Sequence, residues 1–115
     1  MALIFACTRR VLEADQYVHE GSWKTSWHPR MLLGSDLHGS TLGVVGAGRI
    51  GSKLARIAKT LGVRVIYYDP YQNVELEAEG IAERAICLED LCRNSDIISI
   101  HVNLTPDTHH LFDAK

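Results

Sequence analysis

The sequence predicts an α/β chain: the first half of a doubly wound parallel sheet, with a helix ahead of it. Three observations carry this reading. A β-branched run, Leu42 to Val45, leads into Gly46-x-Gly48-x-x-Gly51, and an amphipathic segment follows at once. Strand-like runs then recur at Val63–Tyr68, Glu83–Ile86 and Asp96–Val102, with helical patterns between them. Such alternation calls for parallel strands joined by right-handed crossovers, and predicts the spatial order 3-2-1-4.

Residues 2–18 predict one helix, with Leu3, Ile4, Cys7, Val11, Ala14 and Val18 on a single apolar stripe. The stripe starts without a capping residue, as if the chain began mid-element. Residues 19–40 carry Gly21, Pro29, Gly34 and Gly39 and read as a long irregular segment, which needs a reason in a compact domain. Its Trp23 and Trp27 either anchor it against another domain or subunit or cover this chain's own core. Behind the first strand, Ile50, Leu54, Ile57, Ala58 and Leu61 recur at helical spacing. The second strand ends at Asp69-Pro70, a turn pair. Asn73 to Glu79 predicts a short polar helix stopped by Gly80, and Glu83 to Ile86 a third strand. Leu88 to Arg93 predicts a helix closed by Asn94-Ser95, and Asp96 to Val102 the clearest buried strand after the first. Past Leu111-Phe112 a further helix is just beginning where the chain stops at Lys115.

Strand, glycine turn and helix stand in the order that a pyrophosphate site requires. Gly46 would permit the tight turn, Gly48 would let phosphate approach the backbone, and Gly51 would let helix pack on strand. The helix N-terminus then offers N–H groups and a positive dipole end to an anion. Asp69 lies 23 residues after Gly46, close to the spacing (about 20) at which a carboxylate meets an adenosine ribose. A bare glycine motif also serves ordinary turns, so the flanking strand, helix and Asp69 are what favour a dinucleotide. A carboxylate there repels a 2′-phosphate, so NAD is expected over NADP. Arg49 either reaches the pyrophosphate or is a solvated side chain in the first helical turn. The fourth strand ends at Val102 beside the first, at the switch point where ligands sit. Thr108 and the backbone near Val102 either bind the dinucleotide there or, as Thr105-Pro-Asp-Thr108, simply start a helix. A full dinucleotide fold has two mononucleotide halves, and these residues supply one.

Composition narrows the alternatives. At 115 residues the chain makes at most one domain, burying roughly 65% of its unfolded surface. With 46% hydrophobic and 23% charged residues it is an ordinary globular sequence. A formal charge of −2 and scattered basic residues give no general attraction to nucleic acid or anionic membranes. No apolar run approaches the ~18 residues of a membrane span. The apolar start before Arg9-Arg10 reverses the order of a signal peptide, so a cytoplasmic protein is expected. Cys7, Cys87 and Cys92 form no CxxC and no even set, which predicts reduced thiols, with Cys7 and Cys92 on apolar helix positions. No metal site is expected: there is no HExxH, and His109-His110 would diverge on a regular element.

Several segments together resemble the D-isomer-specific 2-hydroxyacid dehydrogenases. Ala2-Leu-Ile-Phe-Ala-Cys-Thr-Arg-Arg-Val11 resembles that family's helix leading into its cofactor domain. Leu37 to Gly51 is very similar to its signature, including the arginine after the second glycine. Tyr67-Tyr-Asp-Pro70 and Leu88-Glu-Asp-Leu91 match the second-strand end and the helix before strand four. Ser99 to Leu111 resembles the strand and turn before the family's later half, and Trp27-His-Pro-Arg-Met-Leu-Leu-Gly34 is most similar to glyoxylate and hydroxypyruvate reductases. The resemblance implies a partial Rossmann fold. Gly46, Gly48, Arg49, Ile50 and Gly51 would hold the pyrophosphate, Asp69 the ribose, and Val102, Asn103 and Thr108 would line the crevice. It also implies residues 1–40 as linker helix and dimerisation arm of a homodimer, and 41–115 as the first half of the NAD-binding domain. Asn103 departs from the family's usual proline, and Ala47 from a common leucine.

No catalytic residue is assigned. The family's substrate-binding Arg, its Glu and its acid/base His all fall later than Lys115, and its substrate domain is absent. His101, which ends strand four, is not that His. The expectation is therefore the NAD(H)-binding part of an oxidoreductase that reduces a small 2-oxo acid, itself inactive. The rivals are a non-catalytic NAD-sensing or corepressor-type module and an inert truncation product.

Overall fold

The computed structural model describes residues 1–113, so the end of the 41–115 half lies outside the described residues. The elements are α1 (Ala2–Thr8), α2 (Val11–His19), β1 (Thr41–Val45), α3 (Arg49–Thr60), β2 (Arg64–Tyr68), α4 (Val74–Ala78), β3 (Glu83–Arg84), α5 (Leu88–Arg93) and β4 (Ile97–Ile100). The strands form one parallel sheet in the order β3-β2-β1-β4, as the alternation predicts. Leu42 pairs with both Val65 and Ile97, so β1 is a central strand, hydrogen-bonded on both sides.

Side chains alternate across the sheet with the strand period of two. Leu42, Val44, Val65 and Tyr67 face one way and pack with Leu54, Ala55 and Ala58 of α3 and Leu76 of α4. Val45 and Ile66 face the other way, with Ala85 and Leu91 of α5. A glycine lets α5 in. A Cβ on Gly43, mid-β1, would collide with Ser95 Oγ and lie 2.6 Å from Leu91 Cδ2.

Four expectations are corrected. The predicted single helix over 2–18 is two helices, α1 and α2, broken where Arg10 takes the left-handed conformation with φ 53°. The returning loop is the cause. Ser35 N–H donates to the Thr8 carbonyl at 2.8 Å and Gly34 presses on the same carbonyl, so a continuing helix has no room there. The predicted apolar stripe buries none of its residues fully, and Cys7 is exposed. Second, the α3 stripe is rotated: Gly51, Leu54, Ala55 and Ala58 are buried, while Ile50 is 71% exposed and Ile57 and Leu61 are also exposed. Third, β3 stops at Arg84, because the chain turns after Ala85 toward α5 and leaves Ile86 outside. Fourth, β4 spans only Ile97–Ile100 and is half-exposed: Ile98 and Ile100 share the α5 face of the sheet with Gly43 and Val45 but stay exposed.

Trp23 and Trp27 are 60% and 74% exposed, so they do not cover this chain's core. The radius of gyration is 16.9 Å, against about 13 Å for a compact domain of similar size. The N-terminal arm therefore stands off from the sheet. It is anchored at its two ends: Met1 and Ile4 pack on the α3 side of the core, and Leu37 is buried in it. Burial, and secondarily the N-terminal ammonium, hold the His101 imidazole below the ordinary histidine range.

Two outcomes are expected. Gly43→Ala should destabilise the fold by about 1–3 kcal/mol through overpacking. This reads as a lower urea midpoint at unchanged slope; an unchanged midpoint would show that α5 is not seated on β1. An NMR titration should place the His101 midpoint below the ordinary value of about 6.5. The unfolded chain then takes up the proton first. The contribution of neutral His101 to stability is full above that value and is lost as pH falls toward the folded midpoint. A midpoint at or above the ordinary value would refute the packing around β4.

Candidate functional site

The ends of β1, β2 and β4 converge on Gly46. Its φ is +92°, its N–H donates to Tyr68 O at 2.8 Å, and a Cβ there would lie 2.8 Å from His101 O. No other residue fits both the dihedral and the space. Gly51 has the opposite partner. A Cβ on it would collide with Gly46 O and sit 3.1 Å from Val44 Cγ1, so its absence seats α3 on the end of β1. Gly48 differs from both. Its backbone is extended (φ −72°, ψ −162°), and nothing lies within 4 Å of where a Cβ would stand. Neither sterics nor dihedral demands glycine there, and the backbone stands open on that side.

Gly48 is also the N-cap of α3, where no side chain caps the helix and no acidic residue occupies the first turn. The N–H groups at the positive end of the helix therefore have no side-chain cap. Arg49 and Ile50 are both exposed at this end. In front lies an open cleft of about 790 Å³, whose lining includes Gly48, Arg49, Lys53, Arg56, Asp69 and Asn73. A second hollow of about 470 Å³ borders β3. Arg64 there is paired with Glu83 at 2.7 Å and Arg84 donates to the Asp69 and Pro70 carbonyls, so both of its arginines already have partners. The chemistry favours the first cleft.

Asp69 stands where the spacing placed it, half-buried at the end of β2. Its Oδ2 accepts from Ala47 N–H at 2.8 Å and its Oδ1 from Tyr71 N–H at 2.9 Å. Each oxygen keeps a lone pair for a hydroxyl. The carboxylate therefore ties the glycine turn to β2 besides facing the cleft. Sequence reasoning missed a second tie. Asn73 caps α4 by accepting from Leu76 N–H at 3.1 Å, and its Nδ2 donates to Ala47 O at 2.8 Å. Ser52 Oγ donates to the same carbonyl at 2.8 Å. The available signal was an Asn directly ahead of a short helix, which marks a cap but not its long-range donor.

The remaining residues are brought together only in part. Val102 is half-buried and abuts Gly46, its Cγ1 being 3.2 Å from where a Cβ would lie. Asn103 and Thr108 bond to each other instead: Thr108 Oγ1 donates to Asn103 O at 2.5 Å and accepts from Thr105 N–H at 2.8 Å. The 105–108 segment is thus a self-capped turn. His101 Nε2 lies 2.9 Å from Ser99 Oγ at the end of β4, as a half-buried packing residue. The His109 and His110 rings do not diverge. They meet edge to face with centroids 3.9 Å apart, because His110 takes φ 56° outside any regular element. Among the described residues no group of three or more His, Cys, Asp or Glu could hold a metal, and the three cysteines are free. No helix among them is long and apolar enough to cross a membrane.

This geometry agrees with known proteins. The chain matches, over residues 1–115, the family described as D-isomer specific 2-hydroxyacid dehydrogenase, NAD binding domain. It is 50% identical over 114 residues to a glyoxylate reductase of Korarchaeum cryptofilum, covering 99% of this chain and 34% of that protein. The TT0316 protein of Thermus thermophilus superposes with a TM-score of 0.85 at 43% identity, over 96% of this chain and 33% of that one. A D-lactate dehydrogenase of Aquifex aeolicus, solved with NAD and lactic acid, superposes with a TM-score of 0.82 at 32% identity, over 96% and 32%. The chain spans about one third of the length of the curated relatives it matches. With an uncapped helix behind a glycine turn and a carboxylate at the second strand's end, it belongs to the D-isomer specific 2-hydroxyacid dehydrogenase family, as its NAD-binding domain.

Proposed function

We propose that this chain is the dinucleotide-holding part of an enzyme that reduces a small 2-oxo acid, of the glyoxylate or hydroxypyruvate type, with NADH. The observation that carries the reading is Gly48, a glycine with open space around it at the uncapped start of α3. Gly46 and Gly51 shape the turn, and Gly48 with the N–H groups of Arg49, Ile50 and Gly51 receives the pyrophosphate. The Arg49 guanidinium adds charge at the mouth of the cleft. Asp69 accepts from the adenosine ribose with the lone pairs that Ala47 and Tyr71 leave free. Its charge disfavours a 2′-phosphate, so NAD is the preferred cofactor. Val102, Asn103 and Thr108 border the crevice at the switch point between β1 and β4.

Bound NADH would supply the hydride that converts the 2-oxo group to an alcohol. The residues here bind and orient it. The proton donor and the group that binds the substrate carboxylate belong to the whole enzyme. Residues 1–40 form the linker and the arm that reaches a second subunit of a homodimer. The exposed Trp23 and Trp27 support this, since aromatic residues of that size are common interface anchors. A cytoplasmic location fits the same reading.

Fluorescence titration with NADH tests the site. Gly48→Ala should keep the wild-type melting temperature and weaken NADH by about tenfold or more, the effect of a methyl placed against the pyrophosphate. Equal affinity in the variant would remove the argument for the phosphate site. Asp69→Asn keeps an acceptor for Ala47 N–H but drops the charge, and should raise NADPH affinity relative to NADH. An unchanged ratio would mean that Asp69 does not select the cofactor. The 115-residue chain should show no steady-state oxidation of NADH with glyoxylate or hydroxypyruvate, and turnover above blank would contradict the division of labour.

A further inference from the structure

The Ala47 carbonyl is held from two sides. It accepts from Asn73 Nδ2 and from Ser52 Oγ, both at 2.8 Å, and Asn73 Nδ2 also donates to Ser52 Oγ at 3.1 Å. Asn73 is itself immobilised. Its backbone N–H donates to the hydroxyl of buried Tyr67 at 2.8 Å, and that hydroxyl donates to Glu77 Oε1 at 2.6 Å. Its Oδ1 caps α4 through Leu76 N–H. The carboxamide thus caps one element with its oxygen and reaches the glycine turn with its nitrogen. Neither aspartate nor serine can do both.

A trans peptide is planar, so its C=O and the following N–H point in opposite directions. Holding the Ala47 carbonyl toward Ser52 and Asn73 therefore turns the Gly48 N–H the other way. Without that hold the 47–48 peptide would be loosely placed, because Gly48 has neither a Cβ nor a neighbour on its open side to restrict it. We propose that Asn73, with Ser52, is a positioning residue for pyrophosphate binding. It acts through the Ala47 carbonyl to aim the Gly48 N–H at the phosphate. The proposal rests on the dinucleotide reading of the cleft and goes beyond it, since Asn73 need not touch the ligand.

The test is a double-mutant cycle on the 115-residue chain with Asn73→Ser and Ser52→Ala, titrated with NADH, ADP and adenosine. Serine is as good an N-cap as asparagine, so Asn73→Ser keeps α4 but loses the long-range donor. Each variant should weaken NADH and ADP by about three- to tenfold, the effect of one neutral hydrogen bond. Adenosine, which has no phosphate, should bind each variant as it binds wild type. The double variant should lose less than the product of the two effects, because both donors act on one carbonyl. The Gly48 amide resonance should shift in every variant without ligand, a readout that loss of helix stability alone would leave in place. Wild type binding NADH with both variants equal to it would overturn the positioning role and leave the site reading intact. Equal weakening of adenosine and ADP would also overturn it. Wild type failing to bind NADH at all would sink the site reading and this proposal together. Should Asn73→Ser fail to fold, Ser52→Ala alone decides, by the ADP-to-adenosine ratio and the Gly48 resonance.

Discussion

α3 meets the end of β1 through two glycines, Gly51 against the Gly46 carbonyl, and the rest of the molecule follows from that contact. A side chain on Gly51 would force the helix outward, and one on Gly46 would run into the His101 carbonyl just past β4. With none, the helix axis comes down onto the sheet, and Gly51 must be the residue that faces it. Successive helical residues are about 100° apart, so that choice also fixes the whole helix. Leu54, Ala55 and Ala58 follow Gly51 into the core. Ile50, one residue earlier, is turned out beside the cleft.

Polar ties complete what the glycines begin. The Ala47 peptide groups are held by Asp69 from β2, Ser52 from α3 and Asn73 from the start of α4. Behind Asn73 lies the Tyr67 hydroxyl. Burial, and then the hydrogen bond to Glu77, push the Tyr67 phenol up, while that hydroxyl first and Gln72 second hold the Glu77 carboxyl below the usual range. No buried side-chain polar atom among the described residues lacks a partner. An unmade bond in such a network would cost more than a made one contributes. The turn is consequently set by side chains from three elements, and the cleft it faces is preorganised.

The N-terminal arm obeys a different balance. Its apolar residues have the helical period, yet its helices bury none of them fully. Period alone says that one face is apolar; it does not say which surface will cover it. In this chain the sheet face is already filled by α3 and α4, so of the two arm helices and their start only Met1 and Ile4 pack against it, while Leu37 further along is buried. The same reasoning applies to Ile98 and Ile100 of β4. Apolar side chains left outside in this way fit surfaces made for a neighbour.

Local chemistry made the turn at Gly46, the helix packing at Gly51 and the place of Asp69 at the second strand's end readable in the sequence, because each depends on spacing within one β-turn-α-β unit. The family was readable for the same reason. Breaks and rotations were not. The kink at Arg10 comes from a loop returning some 25 residues later, and the burial pattern of α3 from a contact with Gly46 that periodicity cannot see. The tie from Asn73 to Ala47 spans 26 positions. The meeting of His109 and His110 depends on one left-handed residue. Sequence by itself determined which elements form, since those follow from neighbours along the chain, and in what order they pair, since alternating strands and helices with right-handed crossovers leave few orders open. Only the tertiary structure decided which face each element buries and which donors reach the glycine turn, since those depend on groups that meet only after folding.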